Sequence, residues 1–227
     1  ETVCVLPADL FVEPEFYELL RRLPDIAAES GAELTFIGTK PGHPSSQFGY
    51  IVPSPSGEGE YVPVARFVET PDEAQAAALI RDEALWNCGG FAFPLSYMLD
   101  GLLNRGLSVH YEQLLAQYAQ SPELSFDEEM AEKSRNRAAV PYDGAWTDLG
   151  DWRVLTRYLE RSVIGQGDVT SDSIDTHLVN ELPIPIHVIG LSNVIVAASA
   201  DGILVAAKDQ SNRIKAIISD NSGRRSE

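Results

Sequence analysis

The alternation of apolar and polar positions predicts strands and helices that follow one another from the start of the chain. An apolar run ending at Pro7 predicts an opening strand, and apolar residues at helical spacing after Glu13 predict a helix. Pro24 is expected to break or kink this helix, which a second helical piece then continues as far as Gly31. A strand is predicted next, over 34–38, so the order strand–helix–strand predicts a βαβ unit with parallel strands.

The segments that follow continue this alternation. Strands are predicted over 48–52, 61–68, 86–93 (broken by a glycine pair) and 138–142. Helices are predicted from about residue 72, over 95–104, over 108–119, from Ser125 and over 152–161. Together these patterns predict an α/β fold in which helices flank a sheet.

The composition changes after Gly165, and this change predicts a domain boundary. Residues 1–165 are expected to form one α/β domain, and residues 166–227 a small strand-rich appendage. In the appendage, short apolar runs are separated by turn signals at Asn193 and at Asp201-Gly202. A closing helix is predicted near 210–218.

The overall charge narrows the classes of partner. The chain has 227 residues and a net charge of −17, which argues against a nucleic-acid backbone as ligand. No apolar run is long enough to span a membrane, and no basic-then-apolar leader opens the sequence. Cys4 and Cys88 lack metal-ligand spacing, so both are expected to be buried free thiols in a reducing cytoplasm.

Two acidic residues follow predicted strands and are candidate metal ligands. Asp9 comes after the opening strand, and Asp148 lies in a turn between a strand and a helix. Carboxylate oxygens are the ligands that Mg²⁺ takes, and a bound Mg²⁺ could neutralise the phosphates of a nucleotide. An aspartate at such a position also forms turns or caps helices, and Asp151 fits that second role better.

Three further residues are suited to binding a sugar. Glu69 ends a predicted strand, where its carboxylate could accept protons from two hydroxyl groups. The side chain of Asn87 can donate and accept at once, which suits a pair of hydroxyls. Gly49 could let a ligand approach the backbone closely, although a strand bulge explains a lone glycine equally well.

Five short segments, taken in order, resemble the sugar-phosphate nucleotidyltransferases, and most closely their mannose-1-phosphate guanylyltransferase branch. The appendage resembles the same branch, so the likeness covers nearly the whole chain. The segments are Leu6-Pro7-Ala8-Asp9, Phe48-Gly49-Tyr50-Ile51, Phe67-Val68-Glu69-Thr70-Pro71, Trp86-Asn87-Cys88-Gly89 and Asp148-Leu149-Gly150-Asp151-Trp152.

The resemblance implies a Rossmann-like, GT-A-like mixed sheet flanked by helices. It implies Mg²⁺ held by Asp9 and Asp148 as the catalytic residues, and a sugar 1-phosphate contacted by Gly49, Glu69 and Asn87. The implied reaction transfers a nucleotidyl group from GTP to mannose 1-phosphate in the cytoplasm, giving GDP-mannose and pyrophosphate. Homo-oligomer formation through the apolar strands of the appendage is left open.

Two departures from the family pattern shape the expected activity. The family's Gly-rich, Arg-containing triphosphate loop is not found in these residues, so the domain is expected to be N-terminally truncated and weakly active by itself. Thr70 stands where the family usually has Lys, and Arg66 or Lys40 could substitute for that charge. A non-catalytic sugar-phosphate-binding or regulatory homologue is the main alternative, and a glycosyltransferase with a similar sheet is a third.

Overall fold

The computed structural model describes residues 1–55, 59–121, 123–214 and 217. The chain divides into two compact units, Glu1–Thr147 and Asp148–Glu227. The boundary that composition predicts after residue 165 therefore falls inside the second unit. Each unit is described by itself below.

A six-stranded mixed sheet forms the centre of the first unit in the described residues. Its order is β1-β6-β3-β7-β5-β4, and β4 also pairs with the start of β6, while β2 and β8 form a separate two-stranded sheet. The strands are β1 (Thr2–Val5), β2 (Leu10–Val12), β3 (Leu34–Thr39), β4 (Tyr50–Pro53), β5 (Val62–Val68), β6 (Leu85–Pro94), β7 (Arg137–Tyr142) and β8 (Trp146–Asp148).

The βαβ unit expected at the start of the chain has its parallel strands in one sheet, but these strands are not neighbours. Strands β1 and β3 are not paired with each other, because β6 lies between them and runs antiparallel to both. The parallel neighbour of β3 is β7. Strand β6 is continuous over Leu85–Pro94 rather than broken at its glycines. Gly89, with a left-handed φ of 75°, lies between Asn87 and Phe91, where the register of β6 with β3 shifts.

The first helix, α1 (Pro14–Ser30), passes through Pro24 without a break, so the predicted second helical piece is part of the same helix. Leu23 and Ile26 on either side of the proline are fully buried in the core. Their burial stabilises the helix by about 1.5–3 kcal/mol per side chain, which offsets the cost of about 3 kcal/mol for an interior proline. The helix ends at Gly31 in the left-handed conformation, as the sequence predicts.

The remaining helices of the chain are short. They are α2 (Glu73–Arg81), α3 (Leu95–Leu103), α4 (Tyr111–Gln117), a 3₁₀ turn at Tyr118–Gln120, a π-helical turn at Asp127–Ala131 and α5 (Trp152–Leu155). Helix α5 is much shorter than the predicted 152–161, because the chain must turn after it to reach the next strand at Val163.

The second unit is rich in strands, as predicted. A four-stranded sheet has the order β14-β13-β11-β9, and β10 pairs with β12. All these pairs are parallel except the hairpin β13–β14. The strands are β9 (Val163–Gly165), β10 (Gly167–Val169), β11 (His177–Asn180), β12 (Ile186–Val188), β13 (Val194–Ser199) and β14 (Gly202–Ala207).

The closing helix expected at 210–218 is only partly within the described residues. A 3₁₀ helix covers Lys208–Arg213, and residues 215, 216 and 218 lie outside the described part of the chain. Cys88 is buried as expected, whereas Cys4 is exposed on the edge strand β1. Among the described residues, no helix is both long and apolar enough to cross a bilayer.

The N-terminus of α2 offers a test of the local structure next to Glu69. The Asp72 carboxylate accepts from Gln75 N at 2.8 Å, and Gln75 Oε1 accepts from Asp72 N. We expect Asp72→Ala to lower the free energy of unfolding by about 1 kcal/mol, measured by urea denaturation. The control Glu73→Ala removes a charge from the same turn without removing the cap, and should cost only about 0.3–0.5 kcal/mol. Equal losses in the two variants would contradict the capping role.

Candidate functional site

The three residues expected to contact a sugar lie together at one end of the sheet. Tyr50, the first residue of β4, is paired with Val68 of β5 and also with Trp86 of β6. Because both ladders are antiparallel, the residue before Tyr50 faces the residues after Val68 and Trp86. Gly49, Glu69 and Asn87 are therefore brought together by strand register.

Atomic contacts agree with this register. The backbone N–H of Asn87 donates to Gly49 O at 2.8 Å. A Cβ placed on Gly49 would lie 2.5 Å from Glu69 Oε2 and 2.7 Å from the ring of Phe67. Glycine is therefore required at this position if the carboxylate of Glu69 is to keep its place. The role of the three residues in binding stays a prediction.

The side-chain amide of Asn87 is hydrogen-bonded at both ends. Its Oδ1 accepts from Gly89 N at 3.0 Å, and its Nδ2 donates to Asp127 Oδ1 at 2.9 Å. A further N–H and a further lone pair remain on the amide after these two bonds. Such a group can hydrogen-bond an acceptor and a donor on the same ligand.

The carboxylate of Glu69 is in an unusual environment. Its Oε2 is buried without a hydrogen-bond partner among the described residues, while its backbone N–H donates to Glu132 Oε1 at 2.8 Å. Burial raises the pKa of Glu69 to about 7, and repulsion from Asp127, Glu132 and Glu128 contributes in the same direction. An acceptor that lacks a donor in this way is suited to a ligand hydroxyl.

Asp127 and Glu132 were not predicted to belong to the site. The pattern Ser125-Phe126-Asp127-Glu128 was interpreted only as a helix start, and the structure does show that capping box. Glu128 N donates to Ser125 Oγ at 3.0 Å, and Ser125 N donates to Glu128 Oε2 at 3.3 Å. The capping box explains the acid at Glu128 but not the acid at Asp127, whose half-burial becomes visible only in the folded structure.

An aromatic cluster packs beneath the same strand ends. Its members are Phe48, Trp86 and Trp146, with ring centroids 4.9 to 6.2 Å apart. Phe48 precedes Gly49, and Trp86 precedes Asn87. Packing of these rings therefore fixes the backbone next to two of the three predicted sugar residues.

The two predicted metal ligands belong to different units. Asp9 is exposed in the turn just before β2, and Asp148 is the first residue of the second unit. The carboxylate of Asp148 accepts from Gly150 N at 2.7 Å, and Asp151 caps α5 by accepting from Arg153 N at 2.6 Å. The capping role of Asp151 is confirmed, whereas the convergence of Asp9 and Asp148 on one metal stays a prediction.

The described residues contain no group of three or more His, Cys, Asp or Glu arranged to hold a metal ion. Aspartate carboxylates are suitable ligands for Mg²⁺, which commonly binds one or two carboxylates together with waters and substrate phosphates.

The two basic residues considered as substitutes for the missing lysine have other partners. Lys40 lies 3.3 Å from Asp143, and Arg66 lies 3.6 Å from Asp82. Thr70 itself has a left-handed φ of 40°, which is unfavourable for a β-branched residue. The position next to Glu69 is thus strained as well as uncharged.

Comparison with known proteins now assigns the fold. Residues 1–161 match the family model described as nucleotidyl transferase. The chain belongs to the nucleotidyl transferase family. Its mixed α/β sheet with flanking helices is the nucleotidyltransferase fold that the resemblance implies.

Individual relatives narrow the likeness to sugar-phosphate nucleotidyltransferases. Xanthan biosynthesis protein XanB of Xanthomonas campestris pv. campestris (strain B100) is 32% identical, over 95% of this chain and 50% of its own length. Mannose-1-phosphate guanylyltransferase of Sinorhizobium fredii is 30% identical, over 92% of this chain and 45% of its own length. The chain spans about half the length of the curated relatives it matches.

A solved structure of a related protein also resembles this chain along nearly its whole length. The crystal structure described as mannose-1-phosphate geranyltransferase from Thermus thermophilus has a TM-score of 0.71 and 30% identity. The match covers 98% of this chain and 70% of that chain, so both units contribute to it.

The close approach of Gly49 and Glu69 can be tested with two alanine variants. Gly49→Ala should lower the free energy of unfolding by about 1–3 kcal/mol, since the new methyl group overlaps Glu69 and Phe67. Gly42→Ala is the matched control, because a Cβ at Gly42 would meet nothing within 4 Å. It should stay within about 1 kcal/mol of wild type in urea denaturation. Equal stability of the two variants would show that the site is not packed as described.

The raised pKa of Glu69 predicts how stability varies with pH. Between its unfolded value of 4.5 and its folded value of about 7, the folded protein binds a proton that the unfolded chain has released. Glu69 therefore contributes fully to the free energy of unfolding below about pH 4.5, and this contribution is lost as the pH rises through about 7.

In Glu69→Gln the side chain at residue 69 cannot ionise, so its contribution to the free energy of unfolding does not change with pH. Between about pH 4 and pH 8, we expect the free energy of unfolding of the variant to rise by roughly 1–2 kcal/mol relative to that of wild type. This is less than the pKa shift alone would give, because the side chain of Glu69 is partly exposed. Urea denaturation at each pH measures the difference between the two proteins. A difference that does not change with pH would exclude the raised pKa.

Proposed function

We propose that this chain forms the sugar-phosphate-binding part of an enzyme that transfers a guanylyl group from GTP to mannose 1-phosphate. The observation that carries the proposal is the convergence of Gly49, Glu69 and Asn87 at one end of the sheet. Support for the choice of substrates comes from relatives named mannose-1-phosphate guanylyltransferase in Sinorhizobium fredii and Salmonella typhimurium.

The three residues bind the sugar by hydrogen bonds. Glu69 accepts hydrogen bonds from two neighbouring hydroxyl groups, which satisfies the buried Oε2 that has no donor among the described residues. Asn87 uses its remaining N–H and lone pair on one further hydroxyl. Gly49 lets the carboxylate of Glu69 lie against the backbone at the sugar site, because any side chain at residue 49 would overlap that carboxylate.

The reaction needs placement and charge neutralisation more than side-chain chemistry. An oxygen of the sugar phosphate forms a bond to the α-phosphorus of GTP, and the bond from that phosphorus to the bridging oxygen of the β-phosphate breaks. Pyrophosphate leaves with the electron pair of the broken bond. Since the nucleophile is already an anion, no general base is required, and the residues that hold the sugar act by orientation.

Asp9 and Asp148 are the residues that would hold Mg²⁺ in this proposal. The ion, when bound, supplies positive charge that reduces the repulsion between the two phosphate groups. The carboxylates of this chain would hold it through their oxygens.

A non-catalytic sugar-phosphate-binding homologue is the second candidate. It is favoured by Thr70, which stands where the resembling family usually has a lysine, and by the neighbouring acids. Such a protein would bind the sugar phosphate without releasing pyrophosphate.

Titration calorimetry with mannose 1-phosphate tests the proposed binding, with the full chain as the protein. Glu69→Gln and Asn87→Ala should each weaken binding on the order of tenfold or more, because each removes hydrogen bonds to sugar hydroxyls. Glu112→Gln is the matched control, since it removes an exposed acid from α4 and should leave the affinity unchanged.

A second measurement separates the two candidate functions. Release of pyrophosphate from GTP and mannose 1-phosphate by this chain supports the enzyme and contradicts the non-catalytic homologue. If mannose 1-phosphate does not bind at all, or if the two site variants bind as well as wild type, the proposed site is wrong.

A further inference from the structure

The orientation of the Asn87 side chain depends on a residue that is distant in sequence. Oδ1 of Asn87 faces Gly89 N–H, which can only donate, and Nδ2 faces the carboxylate of Asp127, which when ionised can only accept. Turning the amide by 180° would place oxygen against oxygen and N–H against N–H. The two bonds therefore permit only one orientation of the amide.

Asp127 is held firmly enough to impose that orientation. It begins the π-helical turn Asp127–Ala131, and the preceding Phe126 packs on two rings of β6. The ring centroids of Phe126 lie 5.0 Å from Phe91 and 5.3 Å from Phe93. Asp127 is thus fixed to the same strand that carries Asn87.

The local structure does not explain why an acid is needed at residue 127. Capping of this turn is done by Ser125 and Glu128. Half-burial raises the pKa of Asp127, so the carboxylate is disfavoured by its surroundings. The hydrogen bond to Asn87 gives this half-buried carboxylate a role, because it holds the Asn87 amide in one orientation.

We propose that Asp127 is a positioning residue, whose carboxylate turns the Asn87 amide so that its second N–H and its free lone pair point toward a bound sugar. The proposal rests on the proposed function, since it names the residue that prepares Asn87 for the sugar hydroxyls. Asp127 acts through Asn87 and does not itself contact the ligand.

Two substitutions separate the hydrogen bond from the charge. Asp127→Ala removes the acceptor, leaves the bond from Gly89 N–H as the one of the two that still holds the amide, and should weaken mannose 1-phosphate binding about tenfold. Asp127→Asn keeps a carbonyl oxygen in reach of Asn87 Nδ2 and should stay within about threefold of wild type. Glu123→Gln, an exposed acid earlier in the same segment, is the control and should bind like wild type.

A double-mutant cycle distinguishes positioning from a general loss of structure. In the Asn87→Ala background the amide is absent, so Asp127→Ala should change the affinity less than about twofold. The proposal is supported if Asp127→Ala lowers the affinity for mannose 1-phosphate tenfold in wild type and does not lower it in Asn87→Ala. A similar loss in both backgrounds overturns it.

NMR signals of the Asn87 side-chain amide test the orienting contact independently of the proposed function. In the ¹⁵N-labelled chain, the Asn87 side-chain NH₂ signals, assigned by their loss in Asn87→Ala, should shift clearly in Asp127→Ala. If they keep their wild-type positions, Asp127 does not orient the amide. If wild type binds no mannose 1-phosphate but these signals move, the proposed function fails while the orienting contact stands.

Discussion

The hydrogen bond from Asn87 N to Gly49 O is the contact on which the candidate site depends. It extends the pairing of β4 and β6 one residue beyond Tyr50, at the point where β5 also ends. Glu69 then comes so close to Gly49 that any side chain at residue 49 would displace its carboxylate. Sheet register, rather than loop conformation, therefore positions these side chains, and sheet register is strongly specified where a face of the sheet is buried.

Packing beneath the strand ends makes this arrangement rigid. Tyr50 is fully buried, and its hydroxyl donates to Ser45 O and accepts from Ser45 N. The aromatic cluster of Phe48, Trp86 and Trp146 packs next to it. A binding site of this kind needs little ordering when the ligand arrives, because the backbone is already fixed by a core that serves the fold as well.

Sequence reasoning was most successful where the signal is local. The end of a strand before Glu69, the helix that starts near residue 72 and the helix end at Gly31 each follow from a few neighbouring residues. It failed where distant segments decide the outcome: β6 inserts between β1 and β3, and burial on both sides of Pro24 overrides the helix-breaking tendency of proline. The contact of Asp127 with Asn87 joins residues 40 positions apart, and no local pattern could reveal it.

The distribution of charge also limits how a sugar phosphate can lie in this site. Glu69, Asp127 and Glu132 concentrate negative charge on one side of it, and that charge helps burial to raise the pKa of Glu69 to about 7. A phosphate group placed there would meet repulsion, whereas neutral hydroxyl groups would supply the donor that Glu69 Oε2 lacks among the described residues. A sugar 1-phosphate that binds at this end of the sheet must therefore present its hydroxyls to the acids and hold its phosphate away from them. The carboxylates whose burial and mutual repulsion are unfavourable in the unliganded site thus select one orientation of the ligand.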